Sequence, residues 1–120
     1  MISIDRIEDN IIAVTASGTL TEEDYETLTP RLEQEAAHHK TFRLVWEMRD
    51  FRGWQPGALL EDAKLDAQLN RKVTKLALVG EARWQSWMTQ LTKPFASGEV
   101  RYFGETERGA AYAWIRSGTM

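Results

Sequence analysis

The sequence predicts an α/β domain whose mostly parallel sheet carries helices and has an antiparallel pair of strands at its amino-terminal edge. Three observations predict this fold class. Short apolar strand patterns alternate with helical patterns from Phe42 onward. Two further strand patterns precede the first helix and are separated by the turn-prone triplet EDN, which is typical of a β-hairpin. The 120 residues suffice for a single domain, residues 1–120, around one core.

The amino-terminal hairpin and the first helix follow from the spacing of apolar residues. The segments ISIDRIE and IIAVTAS predict two strands, and Gly18 ends the second. Thr21, with Asp24 three residues later, resembles a capping box and predicts a helix start. Apolar residues then recur at helical spacing, and Pro30 within this pattern predicts a kink or a break.

The rest of the chain alternates strand and helix patterns. TFRLVWEM predicts a strand, and the loop that follows runs from Met48 to Gln55. Pro56 is well placed near the start of a helix in PGALLEDAKLDAQL. VTKLALVG and EVRYF predict two more strands. Two more helices are predicted. The first is EARWQSWMTQL, which places Trp84, Trp87, Met88 and Leu91 on one face. The second is ETERGAAYAWI, which contains Ala110, Trp114 and Ile115. The order is ββαβαβαβα, which implies right-handed crossovers between parallel strands.

Composition disfavours several classes of function. The formal net charge is −3, with acidic and basic residues interleaved, so no basic stripe predicts nucleic-acid binding. No apolar run reaches the 18 or so residues that span a bilayer, and MISIDRIEDN lacks the apolar core of a signal peptide. The absence of cysteine excludes disulfides and thiolate metal sites. We therefore expect a cytoplasmic protein without a transmembrane segment.

No cofactor or metal is predicted. His38 and His39 are adjacent, so on a helix their side chains point about 100° apart and do not form a shared metal site. The segment GEAR after Gly80 has one glycine and no phosphate-binding lysine, which excludes a nucleotide-binding P-loop.

The order of elements, together with LVWEMRDFRGW, KLALVG and EVRYF followed by AAYAWI, resembles the SpoIIAA-like family. That family belongs with the STAS domains and is similar in fold to the CRAL-TRIO domains. The likeness runs from Ile2 to about Arg116. Anti-sigma-factor antagonists of this group carry a phosphorylated serine in a turn. The resemblance implies that the corresponding turn falls at residues 55–58 of this chain. No serine or threonine lies between Asp50 and Asn70, which excludes a phosphoserine in that turn.

A binding site is predicted at the carboxyl ends of the parallel strands, where ligands of open α/β sheets usually bind. Three loops should meet there: residues 48–55, 80–84 and 103–105. They would bring together the candidate binding residues Asp50, Phe51, Arg52, Trp54, Glu81, Arg83, Trp84 and Phe103. Aromatic walls with a few charged groups suit a small apolar or amphipathic ligand or a lipid, and Trp and Arg equally suit a protein partner.

Two functions are therefore open. The first is a non-enzymatic domain that binds a small apolar or amphipathic ligand or a lipid. The second is a protein-interaction or regulatory module, including a possible homodimer, in which protein covers the same aromatic residues. Trp54 has a structural alternative, because an aromatic residue at a strand–helix junction can also close the core. Enzyme activity using the carboxylates of Asp50 or Glu47 is disfavoured, because the three loops contain no nucleophile–base couple.

Overall fold

In the computed structural model, residues 1–69, 71–84 and 98–117 are described. They form a five-stranded sheet whose strands follow one another in chain order. The strands are β1 (Ile2–Glu8), β2 (Ile11–Leu20), β3 (Phe42–Trp54), β4 (Val73–Gly80) and β5 (Glu99–Gly104). The helices are α1 (Glu22–His38), α2 (Pro56–Leu69) and α3 (Arg108–Arg116), and short 3-10 turns span Ala82–Trp84 and Glu105–Glu107.

The predicted fold class is confirmed. β1 pairs with β2 in antiparallel fashion, and β2, β3, β4 and β5 are joined by parallel pairings. The carboxyl ends of these four strands therefore lie along one edge of the sheet, which we call the carboxyl edge. None of the helices in the described part of the chain has the length and apolarity that crossing a bilayer requires.

Helices cover both faces of the sheet. On one face, α1 and α2 pack over a core that includes Val14, Leu44, Trp46 and Leu78. On the other face, α3 packs over a smaller core that includes Ala13, Val45, Val79 and Ile115. Successive residues of a strand point to opposite faces, so β3 sends its even-numbered residues up to Met48 toward α1 and α2. Its odd-numbered residues up to Arg49 point toward α3.

Several predicted details are confirmed and others differ. The Thr21–Asp24 capping box starts α1, and the helix continues through Pro30 to His38. Trp84 ends a 3-10 turn, whereas Trp87, Met88 and Leu91 of the predicted third helix lie outside the described residues. The last helix begins at Arg108 and contains Ala110, Trp114 and Ile115 as predicted; its buried residues are Ala111 and Ile115, and Ala110 is exposed.

The predicted loop from Met48 to Gln55 is mostly strand, because β3 continues to Trp54 alongside β2. Ser17 pairs with Arg49 and Gly18 pairs with Phe51, which leaves Asp50 as an extra residue in a β-bulge. Asp50 has a φ of 49°, in the left-handed region that few residues other than Gly, Asn and Asp adopt. A single inserted residue in a strand switches the side chains that follow it to the opposite face of the sheet. Phe51 therefore points into the core beneath α1 and α2.

Candidate functional site

Three aromatic side chains meet at the carboxyl edge on the face covered by α1 and α2. The ring centroid of Phe51 lies 4.8 Å from that of Trp54 and 5.0 Å from that of Trp84. The two tryptophan rings are 6.3 Å apart, and all three pairs have edge-to-face geometry, which aromatic pairs favour. Phe51 is only 1% exposed, whereas both tryptophans are half-buried. This aromatic cluster therefore closes one end of the core.

Hydrogen bonds fix one of the two tryptophans. Trp54 Nε1 donates to the Tyr25 hydroxyl at 2.9 Å, and that hydroxyl donates to Asp62 Oδ1 at 2.6 Å. The chain of bonds joins β3 to α1 and α2. Trp84 Nε1, by contrast, is buried and has no hydrogen-bond partner among the residues that the structure describes. Trp54 is thus anchored by its polar atom as well as by packing.

Charged residues surround the outer side of the aromatic cluster. Arg83 donates to the Phe51 carbonyl oxygen at 3.2 Å, pairs with Glu81 at 3.1 Å, and places its guanidinium carbon 5.3 Å from the centroid of the Trp84 ring. The Tyr102 hydroxyl donates to the Glu81 carbonyl oxygen at 2.6 Å. Arg52 is exposed. These contacts bring the two predicted loops after β3 and β4 together.

Phe103 does not join this cluster. It packs on the opposite face of the sheet, with its ring 5.9 Å from that of Trp114 and its side chain in the core beneath α3. Alternation along β5 explains the difference, because Tyr102 points toward the first face and its neighbour must point toward the second. The expectation that Phe103 shares a neighbourhood with Phe51 is therefore wrong.

A pocket of about 430 Å³ opens at the carboxyl edge on the α3 side of the sheet. It lies between the ends of β3 and β4 and the start of α3. The residues that line this pocket, which we call the edge pocket, are Glu47, Met48, Arg49, Asp50, Val79, Glu105, Thr106 and Arg108. Asp50 is the one predicted site residue among them. The bulge thus places Asp50 at the pocket while it sends Phe51 to the opposite face.

A buried carboxylate organises the wall of the edge pocket. The Glu47 side chain is 5% exposed, and Arg108 donates to it from Nε to Oε1 and from Nη2 to Oε2, the latter at 3.4 Å. The Tyr112 hydroxyl donates to Oε2 at 2.8 Å. Arg49 Nη2 lies 3.8 Å from Oε1, which is an ion pair but too long for a hydrogen bond. Glu47 therefore holds Arg108 in place and attracts Arg49.

The pKa values of two groups reflect this arrangement. Burial and the neighbouring Glu47 carboxylate raise the pKa of the Tyr112 hydroxyl to about 12. The hydrogen bond to Glu47, followed by its negative charge, raises the pKa of the Arg108 guanidinium. Tyr112 is thus a proton donor to Glu47 throughout the neutral range, and Arg108 remains a cation.

The mouth of the edge pocket carries polar groups that are not engaged by the protein. Within the described residues, the carboxylates of Asp50 and Glu105 and the hydroxyl of Thr106 make no side-chain hydrogen bond or ion pair. All three residues are exposed. No group of three or more His, Cys, Asp or Glu residues able to hold a metal occurs in the described part of the chain. The site therefore offers both signs of charge for binding.

Most of the edge pocket was missed by reasoning from sequence. Glu47 was recognised as a carboxylate near this edge, but its partners Arg108 and Tyr112 lie 61 and 65 residues away. One available signal was the alternation of Arg43, Val45 and Glu47, which predicts that Glu47 points away from the face of Trp46.

Comparisons with known proteins agree with this fold. The model of a family described as SpoIIAA-like matches residues 11–116. Among solved structures, the chain is similar to an uncharacterised protein of the DUF3478 family with a SpoIIAA-like fold from Shewanella loihica PV-4. The two share 30% sequence identity and a TM-score of 0.79, over 96% of this chain and 92% of the other. No curated protein matches the chain.

Proposed function

Because the chain belongs to the SpoIIAA-like family, we propose that it is a non-enzymatic regulatory domain that holds a small amphipathic molecule at the carboxyl edge of its sheet. SpoIIAA-like domains are generally non-enzymatic and commonly act through interactions. The expected cytoplasmic location stays a prediction from the composition.

The observation that carries this proposal is the edge pocket. Its volume of about 430 Å³ falls in the range of small-molecule sites, which combine apolar surface with a few placed polar groups. Val79 provides apolar surface, and the charged side chains around it provide the polar groups. Its place at the carboxyl ends of parallel strands is where open α/β sheets bind ligands.

The aromatic cluster has a supporting part in this proposal. Phe51 is buried in the core, so it is available to a ligand only through movement of the strand. Asp50 precedes Phe51 in the bulge. We propose that ligand binding at Asp50 shifts the position of Phe51 and so changes its contacts with the two tryptophans. Tryptophan fluorescence is then a reporter of binding even though the ligand lies on the other face.

A ligand screen with a blocked pocket tests the proposal. Fatty acids, lipids and small amphipathic metabolites are added to the apo protein, and the shift in melting temperature and the tryptophan emission are recorded. Thr106→Phe fills the mouth of the edge pocket, and Thr27→Phe on the exposed side of α1 is the matched control. Binding that survives in the Thr27 variant and is lost in the Thr106 variant supports the proposal. If no compound binds, or if both variants bind like the wild type, the proposed site is wrong.

A second candidate function is recognition of a protein partner by the outer side of the aromatic cluster. The observation that favours it is the group of half-buried Trp54 and Trp84 with Arg83 stacked on one of them, since Trp and Arg dominate interface hot spots. The partner is a regulator or a second copy of the chain. Light scattering of the wild type and of Arg52→Glu tests self-association, because a dimer through this surface would dissociate in the variant.

A further inference from the structure

We propose that the ligand of the edge pocket is a small zwitterion with an apolar substituent, of the chemical class of the apolar α-amino acids. This inference rests on the proposed function and adds the chemistry of the ligand. It follows from three features of the pocket: two guanidinium groups, two carboxylates without a side-chain partner among the described residues, and the apolar side chain of Val79.

The guanidinium groups provide a site for the carboxylate of the ligand. Arg108 donates to Glu47 from Nε and Nη2, and its remaining guanidinium hydrogens have no acceptor among the described residues. The Arg49 side chain is 61% exposed, and its ion pair with Glu47 is 3.8 Å long. Two cations therefore face one buried carboxylate, so this wall has an excess positive charge. A ligand carboxylate accepts hydrogen bonds from Arg groups in a two-pronged geometry.

The carboxylates of Asp50 and Glu105 provide a site for the ammonium group. Neither makes a hydrogen bond or ion pair with a side chain in the residues that the structure describes. A ligand with only a negative charge would meet these two carboxylates, and a ligand with only a positive charge would meet Arg49 and Arg108. A zwitterion satisfies both sides, because each of its charges has an opposite charge on the wall.

The side chain of Val79 supplies the third part of the recognition. Val79 belongs to the core beneath α3 and lines the pocket beside the charged wall. An apolar substituent on the ligand would remove the remaining apolar surface from water. The combination predicts selectivity for an aliphatic amino acid over glycine.

Three matched probes test this chemistry by calorimetric titration of the wild-type protein. They are L-leucine, L-leucinol, which lacks the carboxylate, and 4-methylpentanoate, which lacks the ammonium group. We expect L-leucine to bind at least about tenfold more tightly than either single-charge probe, since a lost charge-assisted hydrogen bond is worth about 1.5–3 kcal/mol and about 1.4 kcal/mol is tenfold.

Two variants assign the charges. Arg49→Gln should weaken L-leucine about tenfold and leave leucinol unchanged or tighter, and Asp50→Asn should weaken L-leucine about tenfold and leave 4-methylpentanoate unchanged or tighter. Asn retains access to the left-handed backbone conformation. Arg116→Gln is the control, because Arg116 pairs with Glu8 outside the residues that line the pocket.

The outcomes separate this inference from the proposed function. The zwitterion proposal is wrong if a single-charge probe binds as tightly as L-leucine. It is also wrong if no amino acid binds while another compound binds and loses its binding in Thr106→Phe. In both cases the edge pocket remains a ligand site. If neither the probes nor any screened compound depends on Thr106, the proposed function is wrong as well.

Discussion

The left-handed conformation of Asp50 makes a quantitative prediction about stability. With a φ of 49°, a residue that carries a Cβ is destabilised by roughly 1–2 kcal/mol, and aspartate is among the few such residues that are enriched in this region. A β-branched residue is a genuine outlier there. We therefore expect Asp50→Val to destabilise the protein by about 1–2 kcal/mol, whereas Asp50→Gly should match or exceed the wild type because glycine adopts this φ freely.

The measurement is the melting temperature of the apo protein by circular dichroism. For a domain of this size each kcal/mol corresponds to roughly 3–5 °C, so Asp50→Val should melt about 3–10 °C below the wild type. Arg49→Val is the matched control, since Arg49 is an exposed neighbour in the same strand without a positive φ, and valine is favoured in strands. The bulge is refuted if Asp50→Val melts with the wild type, or if the valine at position 49 is equally harmful.

Three further predictions concern the two sides of the carboxyl edge. Phe51→Ala should lower the free energy of unfolding by about 3–5 kcal/mol in urea, because it opens a cavity under both tryptophans; a loss below 1 kcal/mol would contradict the burial. Arg108→Ala should lower the free energy of unfolding by about 1–3 kcal/mol, since the buried Glu47 carboxylate loses its main hydrogen-bond donor. Arg116→Ala, at an exposed ion pair, should lower it by at most about 1 kcal/mol. Equal losses in the two variants would contradict the buried network around Glu47. Because the pKa of Tyr112 is raised to about 12, its protonated phenol stabilises the folded state. This contribution is fully present at pH values below the ordinary tyrosine pKa near 10, and it is lost as the pH rises through the pKa of the folded state. Ultraviolet titration should show two phenols, those of Tyr102 and Tyr112, ionising near pH 12. Tyr112→Phe should remove one of the two, and loss of a phenol that ionises near 10 instead would contradict the shift.

The sheet and its connections could be predicted from sequence because they depend on local periodicity. Alternation in β3, the short apolar run of β4 and helical spacing in α1 predict the element types, and the spacing in α1 also predicts its buried face. The Thr21–Asp24 capping box also lies within four consecutive residues and is therefore visible without coordinates.

The bulge and the edge pocket could not be predicted in the same way. The segment RDFRGW contains Gly and Asp, which are typical of loops, and only pairing with Gly18–Leu20 of β2 keeps it in the sheet. The contact of Glu47 with Arg108 and Tyr112 joins residues far apart in the chain, and a single sequence does not contain that information. The prediction for Phe103 was wrong because it considered only that Phe103 lies near the end of β5. It did not consider the face of the sheet to which alternation along β5 assigns the side chain.

The most direct test of a ligand site at the carboxyl edge is amide chemical-shift mapping by NMR as L-leucine is added to the isotope-labelled protein. The account predicts that the largest shifts occur at residues 47–50, at Val79 and at residues 105–108, and that they vanish in Thr106→Phe. Shifts centred on α1 or spread evenly over the sheet would contradict it, as would saturating ligand with no shift at residues 47–50.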